Sequence, residues 1–195
     1  MMKTKMILIM AIMLLGSLIN AQTVTIKEVP KTVDDFVKLR DKIAKTPEGG
    51  AAIFMLALKI YTDDPKLGKQ CLVVAVDRNS LREGEVYKGY ELLSADMELI
   101  KRQIINKDRK LPNSYIKGSS PENNYKVKPP YVFEFMSNPS SGDAETGTYK
   151  IFVKCSGADS PRPITLVKNN REYWKASSWS SVLVGIKKPP VDDDI

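Results

Sequence analysis

Arg162 stands between Pro161 and Pro163 in the run Ser156-Gly-Ala-Asp-Ser-Pro-Arg-Pro163. Two prolines fix the backbone on either side, and a guanidinium held in place is a good bidentate partner for a carboxylate or a phosphate. Asp159 lies shortly before it, so an ion pair that staples a loop between two strands uses the same residues and needs no ligand. Tyr115, Tyr125 and Tyr131 share one loop-rich region with Glu122, Asn123 and Asn124, which suits a polar aromatic surface for a sugar or a peptide. Core aromatics with loop-anchoring hydroxyls explain those tyrosines more simply. For proton transfer without histidine, Asp159 as base and Tyr115 as donor are the available pair, although no spacing brings them together. Trp174 and Trp179, on or beside a strand, point to opposite faces if the pleat continues, with one packed under the helices and the other in solvent. The ligand-binding candidates are Arg162, Asp159, Tyr115, Tyr125 and Trp174, and no residue is assigned a catalytic role.

The composition narrows the chemistry further. Among 195 residues there is no histidine, which removes serine-histidine and cysteine-histidine nucleophiles, histidine bases and histidine-ligated zinc. The two cysteines, Cys71 and Cys155, are too far apart for a zinc knuckle, an iron-sulfur ligand set or a CxxC redox pair. Both sit in apolar surroundings and read as buried free thiols, with a disulfide as the alternative in an oxidising compartment. The acidic pairs Asp34-Asp35 and Asp63-Asp64 fall at helix starts, where they serve caps and dipoles. There is no calcium loop, and the Gly-Lys-Ser/Thr ending of a phosphate loop is absent, so no metal or cofactor is expected.

Residues 1–21 have the three parts of a signal peptide: Lys3 and Lys5, an apolar run from Met6 to Leu15, then Gly16-Ser17 and the small Ala21. The run is shorter than the ~20 residues a transmembrane helix needs, although its extension through Ile19 keeps a retained anchor as the alternative. Cleavage after Ala21 is expected, giving a secreted or periplasmic chain with no further membrane span. Without Lys3 and Lys5, 28 basic and 23 acidic residues remain, a net charge of +5. The densest basic segment, Lys101, Arg102, Lys107, Arg109 and Lys110, falls at the end of an expected helix where cations complement the dipole. A polyanion site there is the alternative, but no arginine-rich groove with interleaved aromatics accompanies it, so no specific nucleic-acid partner is expected.

One α+β domain is expected over residues 22–188, with an acidic tail over 189–195 loosened by Pro189-Pro190 and Asp192 to Asp194. Residues 22–30 read as extended or loose. Thr32 with Asp35 caps a helix whose Val33, Phe36, Leu39, Arg40 and Ile43 share a face. Thr46-Pro47-Glu48 starts a second, apolar nearly all round from Ala51 to Ile60 and therefore the central buried helix. Asp64-Pro65 opens a third, preferred over a strand at residues 72–76, and a fourth runs from about Ser94 to Asn106. The period then changes. Residues 131–135 and 149–155 alternate as a hairpin across the turn-rich 138–143, residues 164–168 and 173–178 form a second pair, and 181–186 reads as a last strand. Helices followed by antiparallel strands imply N-terminal helices packed on a curved C-terminal sheet.

This order, with Thr46-Pro47-Glu48 leading into an apolar helix and the late Ile164-Thr-Leu-Val-Lys-Asn-Asn170 and Trp174-Lys175, is similar to the cystatin-like cone of the nuclear transport factor 2-like superfamily. That resemblance implies a cone whose open end can hold a small molecule. The segments Ser120-Pro-Glu-Asn-Asn-Tyr125, Pro130-Tyr131, Ser156 to Pro163 and Trp179-Ser-Ser-Val-Leu-Val-Gly185 resemble an uncharacterised family of secreted bacterial proteins, a domain of unknown function. The family supplies no catalytic residue. The expected function is a binding or interaction module without catalysis, for an unknown small molecule or protein partner. An enzyme using Asp159 and Tyr115 in a cone-shaped pocket, and a polyanion-binding envelope protein, are the alternatives.

Overall fold

The computed structural model describes residues 20–191. The signal segment expected over residues 1–21 thus falls, up to residue 19, outside the described residues, as do residues 192–195 of the acidic tail. In chain order the elements are β1 (Asn20–Ile26), α1 (Val33–Ile43), α2 (Pro47–Asp63), α3 (Pro65–Ala75), β2 (Leu81–Tyr87), β3 (Tyr90–Leu92), α4 (Ser94–Ile100), β4 (Tyr131–Ser137), β5 (Thr148–Val153), β6 (Arg162–Lys168) and β7 (Trp174–Ser178). The fold is α+β, as the change of period predicts.

Three helices start at their capping residues. The hydroxyl of Thr32 accepts from the Asp35 N–H at 3.1 Å, and that of Thr46 accepts from the Gly49 N–H at 3.1 Å. The Asp64 carboxylate accepts from the Lys66 and Leu67 N–H groups at 3.0 Å, so each first turn finds partners for its free donors. α2 is buried from Gly49 to Thr62, and Lys59, the one charge in that run, reaches Asp63 at 2.5 Å. A helix apolar all round has to be covered all round. α1 and α3 lie against it, and strands β1, β5, β6 and β7 close it off. Two contacts bring backbones together: a Cβ on Gly68 of α3 would sit 2.1 Å from the Tyr61 Cα, and one on Gly50 of α2 would sit 2.6 Å from the Trp174 carbonyl oxygen. The fourth helix continues past Ile100 as a π-helix over Lys101–Lys107, where the Asp108 N–H donates to the Gln103 carbonyl at 3.2 Å.

The sheet is antiparallel in the order β1-β4-β5-β6-β7. Tyr131, Phe133 and Phe135 of β4, Ile151 and Val153 of β5, and Ile164 and Leu166 of β6 are among its buried positions. β4 and β5 pair only at Phe135 with Val153 and Met136 with Phe152, and Ile116 bridges to Phe133 on the neighbouring stretch of β4. The β7 edge is covered rather than left as a template for another strand. The Trp174 N–H donates to the Ala44 carbonyl and the Asp77 N–H to the Ala176 carbonyl, both at 2.8 Å.

Two elements differ from the expectation. Residues 181–186 form no strand: a 3-10 helix spans Ser180–Leu183 and an extended strap follows. The reason is spacing, because Trp179, Val182 and Leu183 are all buried and only a helical turn brings positions three and four apart to one side. The β2–β3 hairpin was not anticipated, and packs on α3. Lys88 at φ +49° and Gly89 at φ +81° form its two-residue turn, both in the left-handed region that such hairpins require.

Candidate functional site

Four of the five residues that sequence singled out close on the chain's own C-terminal strap. Arg162 shares the strand parity of Ile164 and Leu166, so the pleat turns it toward the core, where it is 9% exposed. One guanidinium nitrogen donates to the Tyr115 hydroxyl at 2.9 Å and to the Val184 carbonyl at 2.7 Å, and the other donates to the Gly185 carbonyl at 2.7 Å. Tyr115 in turn donates to the Val182 carbonyl at 2.8 Å. Burial pushes its phenol pKa well up, so it remains a hydrogen-bond donor. Tyr125 donates to the Lys187 carbonyl at 2.7 Å. Its backbone sits at φ +55°, an uncommon conformation for a bulky residue, held here by a fully buried ring and that hydrogen bond. Asp159 does not join Arg162. It is exposed and pairs with the Lys187 ammonium at 2.5 Å, which holds its carboxyl below the usual range.

The remaining aromatic candidates are also committed to packing. Tyr115, Tyr125 and Tyr131 are buried, so they present no aromatic surface beside Glu122, Asn123 and Asn124. Neither tryptophan is in solvent: Trp174 lies against Gly50 and edge-on to Tyr149, and Trp179 packs at 5.1 Å from the Phe54 ring. The opposite-face expectation fails because the strand ends at Ser178, before Trp179. In the basic segment, Arg109 donates to the Thr62 carbonyl at 2.5 Å and Lys110 to the Asn124 side chain at 2.5 Å. Both cysteines are free and buried, and burial pushes the Cys71 thiol up to about 12. Among the described residues, no group of three or more cysteine, aspartate or glutamate side chains comes together to hold a metal, and no helix is long and apolar enough to cross a membrane.

A different residue stands out in the structure. Lys175 of β7, facing Val167 of β6 in register, is 8% exposed, and its ammonium donates to the Val74 carbonyl of α3. Lys175 and Val74 both line a groove of about 250 Å³ between α1, α3 and the β2–β3 hairpin. Val37, Val73 and Leu81 give it apolar walls, Tyr87 and Tyr90 add aromatic ones, and Arg40 and Lys88 are its other cations. Arg40 is pinned by Asp41 at 2.6 Å and lies over the Tyr173 ring at 4.4 Å. Burial, reinforced by the Arg40 charge and opposed by Asp41 and Asp77, lowers the Lys175 pKa to about 7. Such an amine is partly neutral at physiological pH, and a neutral amine is both a ligand-binding group and a nucleophile.

Sequence reasoning passed over Lys175, since strand alternation assigns a lysine between Trp174 and Ala176 to the solvent side. What buries it is the contact between the end of α3 and β7. Val76 pairs with Ala176, which draws the end of α3 over this part of the strand. No spacing in the sequence announces that contact.

No curated protein and no solved structure matches the chain. Residues 28–190, from the approach to α1 through the strap that Arg162 holds, match a family described as a domain of unknown function (DUF6935), and the chain belongs to that family.

Proposed function

We propose that this protein is a secreted or periplasmic binding module that works without turnover, and that the groove over Lys175 seats a small, largely apolar ligand. One observation carries the reading: a buried amine, bonded to a single backbone carbonyl, lies in the lining of an apolar groove. Binding is favoured over acid–base chemistry by Asp159 and Tyr115 because Asp159 is exposed and paired with Lys187, while Tyr115 is buried and donates to the Val182 carbonyl. The compartment rests on Lys3, Lys5, the apolar run and Ala21. A cystatin-like cone is part of the proposal, supported by α2 lying along an antiparallel sheet, with the ligand groove beside the β7 edge.

The test uses anilinonaphthalene sulfonate, an apolar dye with one negative charge, titrated into the folded chain. Saturable fluorescence with about one dye per chain is expected, weakened at least tenfold in Val37→Trp, which fills the groove from α1. An unchanged titration in a folded Val37→Trp variant overturns the site. N-terminal sequencing of protein recovered from the producing cell tests the compartment, with Gln22 expected first.

A further inference from the structure

We propose that Lys175 captures small aldehydes with an apolar body as a reversible imine inside this groove. The inference rests on the groove being a ligand seat and names the chemistry of its ligand. Three features of the geometry carry it. Lys175 is buried but lines open space of about 250 Å³, room for a ring or a short chain, and Val74, whose carbonyl its amine meets, lines the same space. The groove walls Val37, Val73 and Leu81 favour a ligand with an apolar body. The amine's hydrogen-bond acceptor is a peptide carbonyl, and among the described residues no carboxylate is in direct contact with the nitrogen. Arg40 and Asp41 from α1, Asp77 after α3, and Tyr87, Lys88 and Tyr90 from the hairpin are the charged and titratable groups around it. Their balance, with burial, leaves the nitrogen lone pair free for part of the time at neutral pH.

The step needs no oxidant or reductant. The Lys175 nitrogen lone pair attacks the carbonyl carbon, and the carbonyl π pair moves onto oxygen to give a carbinolamine once a proton has passed from nitrogen to oxygen. Loss of that oxygen as water breaks the C–O bond and forms the C=N bond. Addition of water returns the aldehyde and the free amine, so the chain is unchanged by a cycle of capture and release.

The experiment incubates the intact chain with benzaldehyde and sodium cyanoborohydride, which reduces an imine to a stable benzylamine, and locates adducts by peptide mass mapping. Lys175 is expected to be labelled at least tenfold faster at pH 7 than the exposed Lys38 and Lys126. Its rate should rise about tenfold from pH 6 to pH 8 and then level off, as for an amine titrating near neutrality. The preference should vanish in concentrated urea, a comparison that needs no variant. Labelling of Lys175 no faster than the surface lysines, in protein folded by circular dichroism, overturns the inference. Saturable dye binding without a Lys175 adduct removes the imine and leaves the seat standing. An adduct at Lys175 without dye binding removes that non-covalent reading and leaves the reactive amine.

Discussion

Arg162 and Tyr115, residues of β6 and of the turn before β4, share one hydrogen bond at 2.9 Å; Tyr115 also holds the Val182 carbonyl of the 3-10 turn, and Arg162 the Val184 carbonyl of the strap that follows it. The guanidinium meets three oxygens in one plane of donors, an arrangement a lysine cannot reproduce. Arg162→Met and Arg162→Lys are both expected to lower the unfolding free energy by about 2–4 kcal/mol. Tyr115→Phe, which strands one acceptor and one donor, should cost about 1–3 kcal/mol. Urea denaturation measures all three. Carboxypeptidase digestion should trim the strap faster in each variant, and undiminished resistance would show that the strap is held elsewhere.

Lys175 makes the stability of the protein depend on pH in a definite direction. The unfolded side chain titrates near 10.5 and the folded one near 7, so between these values the unfolded chain binds the proton that the folded chain has released. Stability therefore rises with pH across that window, and the cost of burying the charge is fully present below pH 7. Lys175→Met is expected to be more stable than the parent at pH 6 by about 2–4 kcal/mol, less about 1 kcal/mol for the lost bond to Val74. The advantage should shrink toward pH 10. Parallel stability curves for the two proteins over pH 6–10 would rule out the shift.

Where two backbones touch, side-chain size decides the outcome. Gly68→Ala places a methyl 2.1 Å from the Tyr61 Cα, so α3 has to move off α2. A loss of about 3 kcal/mol is expected, although alanine is the better helix former. Thermal unfolding reads the effect, and Lys126→Ala, on an exposed loop, should change stability by less than about 0.5 kcal/mol.

How far the sequence could be read depended on the range of the interaction. Thr32, Thr46 and Asp64 act within three residues of themselves, and each helix start was legible. The alternating runs of β4, β5, β6 and β7 were legible for the same reason, and so was the burial of α2. Arg162 was chosen for its two prolines, but its partners are 22 and 23 residues further on and 47 residues back, and nothing local announces them. The parity of Arg162 with Ile164 and Leu166 was readable and pointed inward. Lys175 was hidden because its environment comes from α1, α3 and a hairpin that precede it by about a hundred residues, the Val74 carbonyl being 101 away.

The cysteines should be silent in the folded protein. Cys71 is fully buried and its thiol is pushed up to about 12 by loss of hydration, while Cys155 is buried with its sulfur 3.3 Å from the Ser114 hydroxyl. Ellman's reagent is expected to titrate no thiol in native buffer at pH 8 and both thiols in denaturant. Mass spectrometry should find no bridge between them. A native thiol reacting within minutes would contradict this burial.

The cover of α2 has a consequence for the order in which the chain can fold. Its faces are closed partly by β7, which the ribosome delivers more than a hundred residues after Pro47–Asp63. Until Trp174 can seat against Gly50 and donate to the Ala44 carbonyl, an apolar helix has no finished place to hide. The first half of the molecule is therefore a poor candidate for folding during synthesis, because part of its cover comes through contacts distant in sequence. With β7 still missing, the apolar faces of α2 lack part of their cover, and the native packing of the first half is complete only when the last strand arrives.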